Sequence, residues 1–249
     1  MRPLHALLLV TVTACGSEVQ LGPGTYEEEV IADAPSLHLR FGDRSPALAK
    51  DAAGTYDGTY PSAGVTLAEP GAIVGSSDTA IALSGGSVVA MPAGLEFAEN
   101  LPFSIEVWVK PTRYDDQTGW GVVVDHQTYE PRRGYVLRVS GFDVAFERWA
   151  NDSTFGSNAT ENRALSLDSW HHVVATFDGA NLRLFVDGVQ TAFNGVPNPI
   201  PRTAGSWTVG GPNCECTTNF FAGGIDELAI YEHALDPARV RAHFEASGR

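Results

Sequence analysis

The chain has 249 residues, of which 10% are aromatic, 26 are glycine and 15 are proline. This length and composition are typical of one turn-rich globular domain that is mostly β structure and has a sizeable core. The formal net charge of −14 predicts a surface that repels phosphate. It argues against nucleic acid and anionic lipid headgroups as partners, and leaves neutral glycans, basic proteins and divalent cations.

The first residues carry the pattern of an export signal. A short basic start, Met1-Arg2, precedes the nearly continuous apolar run Leu4–Val12 and a small-residue stretch that ends at Cys15. The run is shorter than the about 20 residues that a membrane-spanning helix needs. The stretch resembles the lipobox of bacterial lipoproteins. The alternative is an ordinary secretory signal that happens to end near a cysteine.

The lipobox resemblance implies that residues 1–14 are a lipoprotein signal peptide and that Cys15 becomes the acylated N-terminus. Gly16, which follows it, favours sorting to the outer membrane. The expected location is therefore the bacterial cell envelope, on the periplasmic or the surface-facing side, with the lipid anchor as the only membrane contact.

Residues 15–35 contain Gly22-Pro23-Gly24 and Glu27-Glu28-Glu29, with few apolar residues. A segment of this composition is typical of a solvated linker, because it offers little apolar surface to bury. We predict a flexible acidic tether over 15–35 and a folded domain over 36–249.

From residue 36 onwards, short segments alternate between apolar and polar residues, which is the pattern of half-buried strands. In the clearest, residues 103–110, the odd-numbered positions are apolar and the even-numbered ones include Glu106 and Trp108. Turn signals at Asp178-Gly179-Ala180-Asn181 and Asp187-Gly188 separate two further pairs of strands. The other predicted strands are 122–124, 135–139, 144–149, 170–177, 182–186 and 207–209.

The C-terminal end departs from this alternation. Asp236 is placed as an N-cap with Pro237 in the first helical turn, and Val240 and Phe244 are spaced to share one helix face. Many short antiparallel strands with one closing helix predict an all-β fold. Its architecture is a two-sheet antiparallel sandwich with one short C-terminal helix.

Several segments in series resemble the laminin-G-like jelly roll of the concanavalin A-like lectin and glucanase superfamily. The resemblance is carried, between residues 36 and 246, by FSIEVWVKP at 103–111, WHHVVATFDG at 170–179, LFVDG at 184–188 and GGIDELAIY at 223–231. It implies a concanavalin A-like jelly roll.

The resemblance also implies a structural calcium ion. In similar proteins the aspartate of the Gly-x-Ile-Asp-Glu stretch, here Asp226, binds calcium together with an aspartate-glycine loop, here Asp51 and the carbonyl of Gly54. Calcium accepts six to eight oxygen ligands at about 2.4 Å, so the chemistry is suitable. The alternative is that Asp226 only accepts hydrogen bonds from backbone amides at the start of a strand.

Cys214 and Cys216 are the only cysteines after Cys15. In an oxidising compartment this close pair predicts a local disulfide that stiffens a loop. A zinc site would need two more ligands nearby, and the sequence offers none at metal spacing.

Catalytic residues are not indicated. A retaining glycosidase needs two carboxylates about 5.5 Å apart. Glu106 and Glu147 have no acidic neighbour on the same strand face. Asp226 and Glu227 are adjacent in a strand, so their side chains point to opposite faces. The side chains of His171 and His172 also point to opposite faces of a strand. No serine or cysteine nucleophile stands beside either histidine in a recognisable motif. We interpret both histidines as structural strand residues.

Aromatic side chains that could stack on sugar rings are Trp108, Trp120, Trp149 and Tyr114. Trp108 and Trp149 occupy the strand face opposite the apolar one, and Tyr114 and Trp120 bound a polar loop. We expect a non-catalytic, membrane-anchored binding or adhesion module, with glycan as the first ligand to test. The alternatives are a domain that binds envelope or extracellular proteins without sugar and, third, a diverged glycosidase or lyase.

Overall fold

The computed structural model describes residues 24–96, 100–115, 119–151, 154–195 and 206–249. Within these ranges no helix is long and apolar enough to cross a membrane. The elements of the described residues, in chain order, are α1 (Tyr26–Ala32), β1 (Leu37–Leu39), β2 (Leu48–Ala49), β3 (Gly58–Thr59), β4 (Val65–Pro70), β5 (Thr79–Ser84), β6 (Val89–Ala90), β7 (Phe103–Arg113), β8 (Trp120–Tyr129), β9 (Arg132–Ser140), β10 (Val144–Asn151), β11 (Thr154–Glu161), β12 (His171–Phe177), β13 (Asn181–Val186), β14 (Val189–Gly195), β15 (Thr208–Val209), β16 (Ala222–Tyr231) and α2 (Pro237–Ala246).

The strands of the described residues form two sheets of eight. The first sheet has the order β14-β13-β12-β7-β16-β5-β4, with β1 paired to β16, and the second has the order β11-β10-β9-β8-β15-β6-β3-β2. One hydrophobic core lies between them, where Ile105 and Val107 of β7 meet Leu137 of β9 and Phe146 of β10. The predicted fold class, an antiparallel jelly-roll sandwich, is confirmed.

Local signals gave several correct elements. Asp178 accepts hydrogen bonds from the amides of Ala180 (3.0 Å) and Asn181 (2.7 Å) in the turn between β12 and β13. The N-cap of α2 is Asp236, whose side chain accepts from the amides of Ala238 and Arg239. These turns and caps depend on neighbours in sequence, which is why the sequence predicts them.

Strand β7 runs past Pro111, where we predicted its end. Pro111 lies opposite Gly223, and the register with β16 shifts between Ala222 and Gly223. Proline has no N–H for the ladder, so the pairing tolerates it at an irregular position. The strand therefore passes through Pro111 and continues to Arg113.

The tether prediction is wrong for residues 24–35, which contain helix α1; the rest of the predicted tether lies outside the described residues. Thr25 and Glu28 form a capping box, each side chain bonding the other's amide. Tyr26 and Val30, spaced i, i+4, are buried against the domain. In the acidic run Glu28 is exposed, whereas Glu27 and Glu29 form ion pairs with Arg40 and Arg239 of the domain.

The ligand-binding prediction for Trp108 is also wrong. It lies on the outer face of the first sheet, as its even-numbered position requires, but it is 0% exposed because α1 and α2 cover this face. Its ring packs edge-on against Tyr26 of α1 at 6.2 Å and stacks on Phe244 of α2 at 6.0 Å. A second hydrophobic cluster therefore joins both helices to the sheet.

At the centre of this second cluster lies Glu106, which is fully buried. Its carboxylate accepts hydrogen bonds from the hydroxyls of Tyr26 (2.9 Å) and Tyr231 (2.7 Å), from Nε2 of His172 (2.8 Å) and from Nδ1 of His243 (2.9 Å). An ionised carboxylate can only accept, so both imidazoles donate. Burial alone would raise the pKa of Glu106, but the charge of His243 and the hydrogen bond from His172 hold this pKa well below its ordinary value.

His243 lies between two carboxylates. Its Nδ1 faces Glu106 and its Nε2 lies 2.9 Å from Oδ2 of Asp33, which also accepts from Nε of Arg239 at 2.8 Å. Burial alone would lower the pKa of His243, and Arg239 lowers it further, but Glu106 and Asp33 together raise it above its ordinary value. The folded protein therefore favours the doubly protonated imidazolium.

This cluster makes the stability of the protein depend on pH. A raised folded-state pKa means that the contribution of His243 is complete below its unfolded pKa of about 6.5 and is lost as the pH rises through the folded pKa. The lowered pKa of Glu106 acts oppositely, because its contribution is lost as the pH falls below about 4.5.

We predict that His243→Gln lowers the free energy of unfolding by about 3 kcal/mol near pH 6, because it leaves the buried carboxylate of Glu106 and the partly buried one of Asp33 without their shared cation. The variant should also lose less stability than the parent between pH 6 and 9, as measured by urea unfolding. His233→Gln, at an exposed position, is the matched control and should behave like the parent. Equal alkaline slopes for parent and His243→Gln would contradict the assignment.

Candidate functional site

A cavity of about 410 Å³ opens on the outer face of the second sheet, which α1 and α2 do not cover. It is built on three neighbouring strands and the turn that joins two of them. The lining residues are Gly119, Trp120, Arg132, Arg138, Ser140, Phe142, Asp143, Glu147 and Trp149.

Strand register explains why these side chains converge. Arg138 of β9 lies opposite Ala145 of β10, so both point to the same face, and Glu147 and Trp149 follow Ala145 at alternate positions. Trp120 of β8 pairs with Ser140, two residues after Arg138. The intervening residues point inward to the core, so the cavity floor is the polar face of an otherwise ordinary sandwich sheet.

A partly buried ion cluster forms the floor. Nε of Arg138 donates to Oε1 of Glu147 at 2.6 Å, and its two terminal nitrogens donate to the carboxylate of Asp143 at 2.7 and 3.2 Å. Although burial opposes it, the arginine and Ser140 lower the pKa of Asp143. The floor therefore presents an ionised acid bound to a planar guanidinium, an arrangement with fixed geometry.

Trp149 forms one wall. Its Nε1 donates to Oε2 of Glu147 at 3.1 Å, and the guanidinium of Arg132 lies 3.5 Å above the ring centroid. Trp120 lies on the other side, with the guanidinium of Arg138 5.6 Å from its ring. The structure thus brings two of the predicted aromatic residues, Trp120 and Trp149, to one cavity.

Phe142 is the residue of this site that the sequence analysis missed. It lies in the β9–β10 turn and its side chain is 79% exposed at the cavity rim. Oγ of Ser140 accepts from the amides of Phe142 (3.0 Å) and Asp143 (2.9 Å), which fixes the turn. A large aromatic residue in the polar turn Ser-Gly-Phe-Asp was the available signal.

Tyr114 does not line the cavity. Its ring packs against the main core, and its hydroxyl donates to the carbonyl of Leu165 at 2.7 Å. It therefore anchors the loop before β12, and its predicted contact with ligand is not supported by this placement.

The polar row of the second sheet continues to Asp125 of β8, opposite Val136 and in line with Glu147. Oδ2 of Asp125 accepts from the hydroxyl of Tyr129 (2.7 Å) and the amide of Asn213 (2.9 Å). Burial raises the pKa of Asp125 to about 6. Through Asn213 it holds the adjacent loop.

That loop contains Cys214 and Cys216, which are bonded to each other with their Cα atoms 5.2 Å apart. The amide nitrogen Nδ2 of Asn213 donates to the carbonyl of Ser206 at 2.8 Å and stabilises the same loop. The disulfide loop thus borders the polar face of the second sheet beside Asp125.

Neither acid that lines the cavity is placed to act as the general acid of a glycosidase. A general acid in a glycosidase must hold a proton near neutral pH, whereas the pKa of Asp143 is lowered and both oxygens of Glu147 accept hydrogen bonds. Aromatic faces, fixed donors and fixed acceptors around one cavity are what a ring with an apolar face and several hydroxyls requires.

Comparison with known families finds a match over residues 83–241 to a laminin-G family described as concanavalin A-like lectin/glucanases superfamily. The match spans more than half of the chain. No curated protein sequence matches the chain significantly.

Solved structures with similar folds include domain 4 of AbnA, a GH43 extracellular arabinanase from Geobacillus stearothermophilus, in complex with arabinotriose (TM-score 0.60, 22% identity, 84% of this chain and 97% of that one). Another is the botulinum neurotoxin serotype D binding domain (TM-score 0.65, 12% identity, 87% of this chain). The chain spans about half, 52%, of that toxin domain. A third, the binding domain of botulinum neurotoxin DC in complex with SialylT, has a TM-score of 0.60, 15% identity and coverages of 87% and 52%. At these identities the likeness concerns the fold.

The calcium ligands that the family resemblance implies do not fit the structure at Asp51. Its Oδ1 accepts the amides of His38 (2.8 Å) and Ala53 (2.9 Å), and its Oδ2 accepts those of Thr55 (3.0 Å) and Tyr56 (2.9 Å). Four N–H groups occupy the lone pairs that a cation would need. Asp51 therefore serves to close the loop that contains Gly54.

Asp226 is occupied in the same way. Its Oδ2 accepts from the amide of Ala72 at 2.7 Å and its Oδ1 from that of Glu227 at 3.0 Å. Burial, together with Glu227, raises its pKa well above the ordinary value. In the described ranges no three His, Cys, Asp or Glu side chains are grouped to hold a metal ion. Asp226 thus accepts backbone amides, as the alternative interpretation has it, but from within β16 and not at the start of a strand.

We predict that calcium does not stabilise the protein through Asp226 and Asp51. The midpoint of thermal unfolding by calorimetry should be the same in calcium and in excess EDTA, because only binding to the folded state raises it. A midpoint that rises in calcium, and no longer rises in Asp226→Asn, would restore the predicted calcium site.

Proposed function

We propose that this chain, which belongs to the concanavalin A-like lectin/glucanase superfamily, is a glycan-binding module that does not cleave glycosidic bonds. The observation that carries the proposal is the cavity on the second sheet, where Trp120, Trp149 and Phe142 surround the Arg138 ion cluster. The ligand we infer is a neutral sugar chain.

The cavity supports this ligand in two ways. Exposed Phe142 offers apolar surface for the C–H face of a sugar ring, and Trp120 and Trp149, whose rings lie against guanidinium groups, line the cavity beside it. The guanidinium of Arg138 and its bound carboxylates offer donors and acceptors for hydroxyl groups at fixed positions. Because these partners already hold one another, little rotamer freedom is lost when a ligand binds.

Proteins of similar fold support a glycan as the ligand class, and the choice of a neutral glycan rests on the cavity itself. The arabinanase domain is in complex with arabinotriose, and the botulinum neurotoxin DC binding domain is in complex with SialylT. A jelly roll hosts many functions, so the specific residues of this cavity, and not the fold, are what an experiment must test.

We predict binding of the purified protein to at least one neutral glycan on a broad array, unchanged by calcium or EDTA. Phe142→Ala should weaken that binding by about tenfold, since an aromatic stacking contact is worth up to about 1.5 kcal/mol. Calorimetric titration with the selected glycan measures the change. Phe193→Ala is the matched control, because Phe193 is 57% exposed on β14 of the first sheet.

Equal losses in the two variants would place the glycan elsewhere. An array without signal in either condition would favour the second candidate function, a protein-binding envelope domain, and crosslinking on the cell envelope would then identify the partner. Release of reducing sugar from a polysaccharide would instead establish the glycosidase or lyase alternative.

We also propose that the module is anchored in the bacterial outer membrane through an acylated Cys15. Helix α1 begins at Tyr26 and is docked on the domain, so at most residues 16–24 can act as the tether. Fully extended, they reach about 30 Å. An anchored domain would therefore work close to the membrane surface.

Acylation has a direct test. We predict that cells expressing the chain incorporate labelled palmitate into it, and that Cys15→Ser abolishes the label and releases the protein from the membrane fraction. Cys214→Ser with Cys216→Ser is the matched control and should retain the label. Export without label in the parent would establish the secretory signal as the correct alternative.

A further inference from the structure

A serine, a histidine and an aspartate lie together away from the cavity on the second sheet. The small cavity beside them shares no lining residue with that cavity. Ser166 lies in the loop before β12, His171 is the first residue of β12, and Asp187 lies in the turn between β13 and β14. No nucleophile stands next to His171 in the sequence, which favours a structural role for it. The fold brings one to it from five residues away.

The three side chains form a continuous hydrogen-bonded row. Oγ of Ser166 lies 2.8 Å from Nε2 of His171, and Nδ1 of His171 lies 2.9 Å from Oδ2 of Asp187. When Asp187 is ionised it can only accept, so Nδ1 carries the proton and Nε2 accepts from the serine hydroxyl. This is the proton arrangement of a serine nucleophile with its base and positioning acid.

The base is held on rigid backbone. Oδ1 of Asp187 accepts from the amide of His172 at 2.9 Å, and the amide of Asp187 donates to the carbonyl of His172 at 2.8 Å. The side chain of His171 is 15% exposed and that of Asp187 38%. Both therefore stay in place while remaining near solvent.

The nucleophile is held on both sides as well. The carbonyl of Leu165 accepts from the hydroxyl of Tyr114 at 2.7 Å, and the amide of Asp168 donates to the carbonyl of Pro111 at 2.8 Å. Ser166 itself is exposed. A hydroxyl that is accessible, and bonded to a fixed base, can meet a substrate.

A small cavity of about 170 Å³ adjoins His171. It is lined by Leu165 and Val186, which are suited to a short apolar group, and by Arg163, whose Nε donates to Glu161 at 2.9 Å. The Arg163 side chain is 80% exposed, and a guanidinium beside a reacting carbonyl can stabilise a developing oxyanion.

We propose that Ser166 is the nucleophile of a second site that hydrolyses short-chain acyl esters, with His171 as general base and Asp187 as a positioning residue. The small cavity holds the acyl group, and Arg163 stabilises negative charge on the carbonyl oxygen. This activity is independent of the proposed glycan binding, because it uses other residues on another surface.

The step is a balanced acyl transfer. Oγ of Ser166 bonds to the carbonyl carbon while its proton moves to Nε2 of His171, and the ester C–O bond then breaks as Nε2 returns that proton to the leaving alcohol. Water next attacks the acyl-serine, giving a proton to Nε2. The bond to Oγ breaks, the carboxylic acid leaves, and Ser166 regains its proton.

We predict that a fluorophosphonate probe labels Ser166 in the whole purified chain, as located by mass spectrometry, and that the protein hydrolyses p-nitrophenyl acetate. Ser166→Ala should reduce hydrolysis to the background rate, and His171→Gln should lower it about 100-fold, the usual contribution of a general base. Ser169→Ala, in the same exposed loop, is the matched control and should leave the rate unchanged.

Asp187→Asn tests the positioning role. Asparagine tolerates the positive φ of 51° at this position and keeps an acceptor for the His172 amide, so the fold should be retained. The ring ¹⁵N shifts of His171 should move from an Nδ1–H to an Nε2–H tautomer, with hydrolysis lowered at least tenfold and the melting temperature unchanged. Hydrolysis by the parent no faster than by Ser166→Ala, or labelling of Ser166 equally fast in His171→Gln, overturns the proposal.

Discussion

The buried carboxylate of Glu106 is the constraint on which the arrangement of this protein depends. A charge in the interior costs several kcal/mol unless donors surround it, and here the donors come from four different elements: α1, β12, β16 and α2. The hydrogen bonds to this one carboxylate therefore hold both helices, α1 and α2, on the first sheet. The helices cover the outer face of the first sheet, whereas the outer face of the second sheet stays open and polar.

The two sheets show how one sequence pattern can have two outcomes. Trp108 and Trp149 both occupy outward positions on strands in which apolar and polar residues alternate. Trp108 is covered by Tyr26 and Phe244, whereas Trp149 lines a cavity beneath the guanidinium of Arg132. Alternation states which residues share a face. What covers that face depends on segments far away in the chain. The alternation within one strand therefore cannot predict whether an outward residue is buried.

The same distinction separates what could be predicted here from what could not. The β13–β14 turn at Asp187-Gly188 and the N-cap Asp236 follow from local backbone preferences, as do most strands. Helix α1 was missed although Thr25 and Glu28 carry a local capping signal, because the residues of the first sheet and of α2 that bury Tyr26 and Val30 lie far away in the chain. The contacts of Ser166 and Phe142 were missed because a loop and a turn, not a periodic pattern, place them.

The cavity on the second sheet carries no net charge, although the molecule as a whole is acidic. The chain carries −14, yet the charged residues that line the cavity are two arginines and two acids, which cancel. The guanidinium of Arg138 donates to the carboxylates of Asp143 and Glu147. The floor therefore offers polar atoms without net positive charge. An acidic sugar would meet a repulsive outer field and no excess cation at the floor. A neutral sugar meets neither obstacle, and its hydroxyls can both donate to the carboxylates and accept from the guanidinium groups.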